Sequence, residues 1–244
     1  MKNTVLFILL IALASCKKGS GNDPQPPAVL RDGIYINGYM GTGTVSNSGV
    51  VAPAGYQWSE CQNDLGVTTV SNSTVGLGAG YNSFNHYKMA DNFVVPAGQS
   101  WQLSRVSVYV QGEYLSTGNF DTLHLQIWNG DPSISGSSVV YGNMTSNVLS
   151  NVLDSMTMCI QNSSYPAPGI VPVNYNKIFK LSANINTTLS AGTYWIVYQV
   201  HRSDESFSFT PSVKVKGTRG LSGWNAQICN SQNVWQPYKD TGKP

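Results

Sequence analysis

Apolar and polar residues alternate with the period of two that puts neighbouring side chains on opposite faces of a strand. From Gln102 to Val110, Ser104, Val106, Val108 and Val110 share one face, and Arg105, Ser107 and Tyr109 the other. Leu123, Leu125 and Ile127 alternate with His124, Gln126 and Trp128, and Asn129-Gly130-Asp131-Pro132 ends that strand. Ile178, Phe179 and Leu181 mark a strand over Lys177 to Ala183. Thr193 to Val200 is apolar on both faces, as a central strand covered on each side must be. Phe207 and Phe209 alternate with serines, and Val213 and Val215 with lysines, as in half-exposed strands. In Asn147 to Met158, Val148, Leu149, Val152, Leu153 and Met156 recur near helical spacing. That spacing admits a short amphipathic helix, but the turn-rich flanks favour a loop with a short strand.

Many short strands, turns rich in Gly, Pro and Asn, and almost no helical pattern predict an all-β fold. The expected architecture is an antiparallel two-sheet sandwich of jelly-roll type. Charged residues are only 11% of the chain, against about 25% in an average soluble protein. Gly, Ser, Thr and Asn supply the polarity instead, and 41% hydrophobic residues suffice for a sizeable core. No repeat or heptad is visible, and one domain over residues 29–244 accounts for the length.

The N-terminus follows a different pattern. Lys2 precedes nine mostly aliphatic residues, Val5 to Leu13, and the run ends in Leu13-Ala14-Ser15-Cys16. It is too short to span a bilayer as a helix, which takes about 20 apolar residues. The segment resembles a bacterial lipoprotein signal. That resemblance implies removal of residues 1–15 and acylation of Cys16, which anchors the mature chain to a membrane. Residues 16–28, with Lys17 to Pro27 reading KKGSGNDPQPP, form a tether that is flexible in its Gly and Ser half and stiffer at Pro24, Pro26 and Pro27. Lys17 after the cysteine points by analogy to the outer membrane, and the absence of acidic residues beside the basic pair favours its periplasmic face. Loss of Lys2 takes the formal balance from 14 basic and 12 acidic side chains to 13 and 12, a near-neutral surface with no footprint for nucleic acid.

Three stretches carry a second resemblance: Met89-Ala90-Asp91-Asn92-Phe93-Val94-Val95-Pro96-Ala97-Gly98-Gln99-Ser100-Trp101, Gln126-Ile127-Trp128-Asn129-Gly130-Asp131-Pro132, and Thr188-Leu189-Ser190-Ala191-Gly192-Thr193-Tyr194-Trp195. They look like a poorly characterised group of secreted β-sandwich modules from Bacteroidetes-like bacteria. The resemblance implies a jelly-roll-like fold and export, and transfers no catalytic residue. In its terms Pro96-Ala97-Gly98 and Ser190-Ala191-Gly192 are turns feeding aromatic-led strands, and Asp91 and Asn92 cap a bend. The chain has Asn92 where such modules usually place a second aspartate, which weakens a metal-site reading.

Chemistry-bearing motifs are scarce. The three histidines, His86, His124 and His201, fall in no metalloprotease, nucleophile-elbow or nucleotide-binding pattern. A glycosidase pair is not marked either, because Glu113, Asp121, Asp131 and Asp154 sit near strand ends, where turn acids are ordinary. No cofactor is expected. Asp91, Asp121 and Asp131 beside Asn92, Asn119 and Asn129 offer oxygens suited to a structural calcium ion, but turn capping is the favoured role. With Cys16 set aside, Cys61, Cys159 and Cys229 remain. In an oxidising compartment Cys61 with Cys229 is the preferred pair, with three reduced thiols the standing alternative.

The aromatics point most directly to binding. Six tryptophans and 13 tyrosines accompany scarce charge. Trp101 and Trp195 are expected in the core. His124, Gln126 and Trp128 on one strand face, with Trp224 and Trp235 in polar surroundings, are the candidate ligand contacts. The expectation is a non-catalytic, membrane-anchored envelope protein that binds carbohydrate. The alternatives are a structural or adhesive module acting on an envelope protein and, less favoured, a hydrolase.

Overall fold

The computed structural model describes residues 4–7, 29–31, 33–37, 40–46, 49–60, 80, 82, 86–112, 119–160, 175–211 and 225–238. The elements are all strands: β1 Thr4–Phe7, β2 Val29–Arg31, β3 Ile34–Ile36, β4 Gln57–Glu60, β5 Lys88–Gly112, β6 Phe120–Trp128, β7 Val139–Asn143, β8 Leu149–Ile160, β9 Tyr175–Arg202, β10 Ser208–Phe209, β11 Gln227–Cys229 and β12 Trp235–Pro237. The all-β expectation holds. The expected strand at Val213 and Val215 lies outside the described residues, as do Cys16, the tether up to residue 28, Cys61, Glu113 and Trp224.

The sheet is organised by two long strands. β5 and β9 pair antiparallel from Met89 opposite Tyr198 to Gln111 opposite Ile178. On the other edge of β9, β8 pairs with its first half and β6 with its second. β6 continues to β7, while β11, β1 and β10 take successive stretches of the second edge of β5. The sheet is mixed rather than wholly antiparallel, because β1 runs parallel to β3 and β5, and β4 parallel to β8.

A straight strand of 25 residues would reach about 80 Å, so β5 must bend. It does so where Val95 faces Gly192 and Ser100 faces Ser190, a step that leaves four residues of β5 opposite one of β9. Pro96-Ala97-Gly98 and Ser190-Ala191-Gly192, expected as turns feeding aromatic-led strands, are therefore the two sides of one bend within the ladder. Gly98 supplies the positive φ of 75° there. Phe93 and Trp101, eight positions apart, consequently stack at 6.3 Å between ring centroids. Phe120 of β6 likewise meets Phe179 from the far half of β9 at 5.5 Å.

The two halves of the ribbon thus share one core. Val106, Val108 and Val110 enter it from β5, Leu123, Leu125 and Ile127 from β6, and Leu181, Ile196, Tyr198 and Val200 from β9. Burying each such aliphatic side chain contributes about 1.5–3 kcal/mol relative to exposure. The alternation predicted for β6 is realised, and the doubly apolar run is buried without a break from Trp195 through Val200, while Thr193 is exposed and Tyr194 half-buried. The second face of β5 is also covered near its end, with Tyr109 packed on Met40, Cys159 and Ile178.

In Asn147–Met158 the favoured non-helical reading holds, but the strand is longer than expected. Most of the segment belongs to β8, a strand of 12 residues, and no helix forms. Its ladder with β9 slips between Leu149 and Asn151 and again between Asp154 and Thr157, and Met156 adopts φ 56°. The first slip adds one residue to β8 and the second adds two, and of the apolar residues at helical spacing only Val148, Leu149 and Val152 pack on the core, while Leu153 and Met156 are exposed.

Candidate functional site

The half of the sheet that contains β6, the end of β9 and the start of β5 has a second apolar face, turned away from the shared core. Ala90, Trp195 and Val197 are buried on it, and Trp128, Met144 and Trp235 pack around them half-buried. Each arrives through the ladder. Trp128 faces Trp195 across the β6–β9 pair, and Gln126 faces Val197. Ala90 links Val197 of β9 to Gln227 of β11, and Cys229 of β11 faces Trp235 of β12. Two tryptophans distant in sequence thus flank a third, Trp195, which is only 3% exposed.

Polar side chains border the aromatic face. The Trp128 indole Nε1 donates to Gln126 Oε1 at 3.0 Å, which fixes the ring plane. The β6–β7 loop folds back toward β11, where Gln227 Nε2 donates to Asp131 Oδ2 at 2.6 Å. Lys88 Nζ donates to Asn233 Oδ1 at 2.7 Å and ties β5 to the β11–β12 turn.

Of the expected contacts, the structure brings Gln126, Trp128 and Trp235 to this face, while Trp224 lies outside the described residues. His124 shares the strand face but is 9% exposed. Burial pushes its imidazole below the usual value, against a hydrogen bond with Gln199 that favours the charged ring and a neighbouring His201 that opposes it. It is a buried neutral ring rather than an exposed contact. Trp101 is buried at 3% like Trp195, as expected of core residues, and Trp58 is buried at 1% in a separate cluster with Ala52, Met158 and Ile160. Sequence reading missed Met144 and Gln227, which reach the face only through the β7 and β11 pairings.

The acidic side chains named as turn caps act as caps or form ion pairs. Asp131 Oδ1 accepts the Ser133 N–H at 2.8 Å, and Asn129 Oδ1 accepts the Ser138 N–H at 2.7 Å. Asp121 accepts from His201 at 2.7 Å, and Glu205 holds the other ring nitrogen at 3.0 Å. Asp154 binds Lys177 Nζ at 2.7 Å and the Tyr56 hydroxyl at 2.5 Å. Asp91 lies beneath β3, where it accepts the Asn92 N–H at 2.9 Å and Asn37 Nδ2 at 2.8 Å; burial pushes its carboxyl up to about 7 despite those bonds. Among the described residues no group of three or more His, Cys, Asp and Glu side chains is placed to hold a metal ion.

Cys159 and Cys229 are both buried, and Cys229 is a free thiol. Burial raises the Cys229 thiol above its usual value, with Lys88 acting in the opposite sense. Its expected partner Cys61 lies outside the described residues. Among them no helix is long and apolar enough to cross a membrane. Comparison of the chain with protein-family models, curated proteins and solved structures finds no match.

Proposed function

We propose that the protein is a lipid-anchored protein of the bacterial envelope, held through Cys16 at the periplasmic face of the outer membrane, whose β domain binds carbohydrate. The observation that carries the binding reading is the half-buried pair Trp128 and Trp235 around Trp195, bordered by Gln126, Gln227 and Asp131. Flat indole surfaces suit the apolar faces of sugar rings, and amide and carboxylate groups beside them suit the hydroxyls. The bend that folds the β5–β9 ribbon over one core supports a jelly-roll-like sandwich as the underlying architecture.

The test is a glycan array probed with the purified chain, followed by titration of any hit against Trp128→Ala and Trp235→Ala. Removing an anchoring aromatic costs at least about 2 kcal/mol, roughly a thirtyfold loss of affinity. Binding to no glycan class, or variants that bind as well as the parent, overturns the carbohydrate reading. One observation favours an adhesive module instead. β7 is an edge strand among the described residues, with Val139 39% and Val140 44% exposed. On that reading, envelope-protein capture is lost on Val140→Lys and unaffected by Trp235→Ala.

A further inference from the structure

The segment read as a removable leader is also a strand of the sheet. β1 lies between β3 and β5 and runs parallel to both, with Leu6 and Phe7 in register with Ile34 and Tyr35, and Thr4 and Val5 in register with Gln102 and Leu103. Among the described residues it is the one strand that joins the β2–β3 hairpin to β5. The hairpin has a second attachment that does not involve β1. The Tyr35 ring packs 6.1 Å from Phe93 and 5.5 Å from Trp101, and Asn37 Nδ2 donates to Asp91 Oδ2 at 2.8 Å.

Cleavage before Cys16 removes β1 and leaves those contacts in place. Adjacent strands lie about 4.8 Å apart, so the facing edges of β3 and β5 would stand about 10 Å apart, too far to pair with each other. Each would present unpaired backbone N–H and C=O groups, a template for another strand. The new N-terminus cannot refill the slot, because Lys17 to Pro27 is rich in Gly and Pro, which are poor strand formers. A second copy of the chain would have to unpair one of its own strands to do so.

We propose that the cleaved, anchored protein uses this slot to accept an extended apolar segment of a partner protein. The incoming strand runs parallel to β3 and β5 and takes the backbone bonds that Thr4–Phe7 makes here. Its chemistry is that of the segment seated there, Thr-Val-Leu-Phe: β-branched, aliphatic and aromatic residues, with no charge, Gly or Pro. The inference rests on the leader part of the reading above and not on the carbohydrate part.

The chain is purified from membranes of an expressing bacterium, and intact mass reports whether residues 1–15 are gone and Cys16 is acylated. A fluorescent peptide of Lys2 to Leu9 is then titrated into it beside the same peptide carrying Leu6→Pro. The expected result is saturable binding of one peptide per chain, at least tenfold weaker for the proline version. Among the amides of Ile34, Tyr35, Gln102 and Leu103, those that do not already donate to β2 or β9 should gain exchange protection only when the first peptide is bound. Equal binding of both peptides, or protection of those amides without peptide, overturns the proposal, the latter because β3 has then closed on β5. Dimers of the cleaved chain that exclude the peptide also overturn it, by putting a second copy in the slot. An intact mass that retains residues 1–15 removes the leader reading itself, and with it the vacated slot.

Discussion

Gly142 and Gly98 allow the steric part of one glycine requirement to be measured apart from the conformational part. Both have positive φ, 77° and 75°, a region that costs an L side chain about 1–2 kcal/mol. At Gly98, on the bend of β5, an added Cβ meets nothing within 4 Å, so Gly98→Ala should cost only that conformational term. At Gly142, on β7, the added Cβ falls 2.1 Å from the Leu125 carbonyl oxygen, where real contacts essentially never come under 3.0 Å. The obstacle is β6 backbone and cannot rotate away, so β7 must withdraw by most of an ångström. Each ladder hydrogen bond broken in the process is worth about 0.5–1.5 kcal/mol. Gly142→Ala should therefore cost about 2–4 kcal/mol. The assay is urea unfolding of both variants, read as a fall in midpoint at constant slope. Faster amide exchange along Val139–Asn143 should accompany the Gly142 change alone. Losses equal within about 0.5 kcal/mol, the ordinary size of a surface substitution, would refute the argument that contact with Leu125 sets the cost.

The two remaining predictions concern pH. Asp91 is pushed up to about 7 from the model-compound value of 3.8, so its contribution is fully present below the unfolded value and is lost as pH rises through about 7. Asp91→Asn should flatten the stability profile across that window, measured by unfolding at successive pH values; an unchanged slope contradicts the assignment. Both ring nitrogens of His201 face carboxylates, Asp121 at 2.7 Å and Glu205 at 3.0 Å, and only the protonated ring donates to both. Burial opposes that charge, but the two hydrogen bonds outweigh it and raise the His201 value. Its stabilisation is complete below the unfolded histidine range and disappears as pH rises through the raised folded value, so His201→Gln should remove the loss at the alkaline side. An NMR titration in which the His201 ring deprotonates below the usual histidine range would contradict this.

Legibility followed regularity of the ladder. From Leu123 to Ile127 β6 keeps an unbroken period of two along its core face, so its alternation reports which residues enter the core, and with them that Trp128 faces the other way. From Trp195 to Val200 the central run also reads correctly, because β5 and β6 on its edges and packed layers on its faces favour apolar residues at nearly every position. β8 was hard to read because two slips interrupt its ladder and it leaves Leu153 and Met156 exposed, so its apolar residues do not mark its buried side. The residues at Pro96-Ala97-Gly98 carry true turn chemistry, but the chain spends it on a bend that continues into the same strand. For the site, local pattern found Gln126 and Trp128. Their meeting with Trp235 depends on β11 pairing with β5, a contact between residues more than a hundred positions apart that leaves no local signature. His124 misled because period two reports the face of a strand and not whether a residue on that face is buried.

The central place of β9 also bears on when the protein can fold. β5, β6 and β8 all take their longest pairings from it, yet it is made after all three. Until residues near Arg202 are available, β5 lacks its principal partner and the shared core has no middle. Contacts so distant in sequence make folding slow. A chain synthesised from the N-terminus therefore stays without its fold through most of its length. Passage across a membrane through a narrow translocation pore requires a chain in that state.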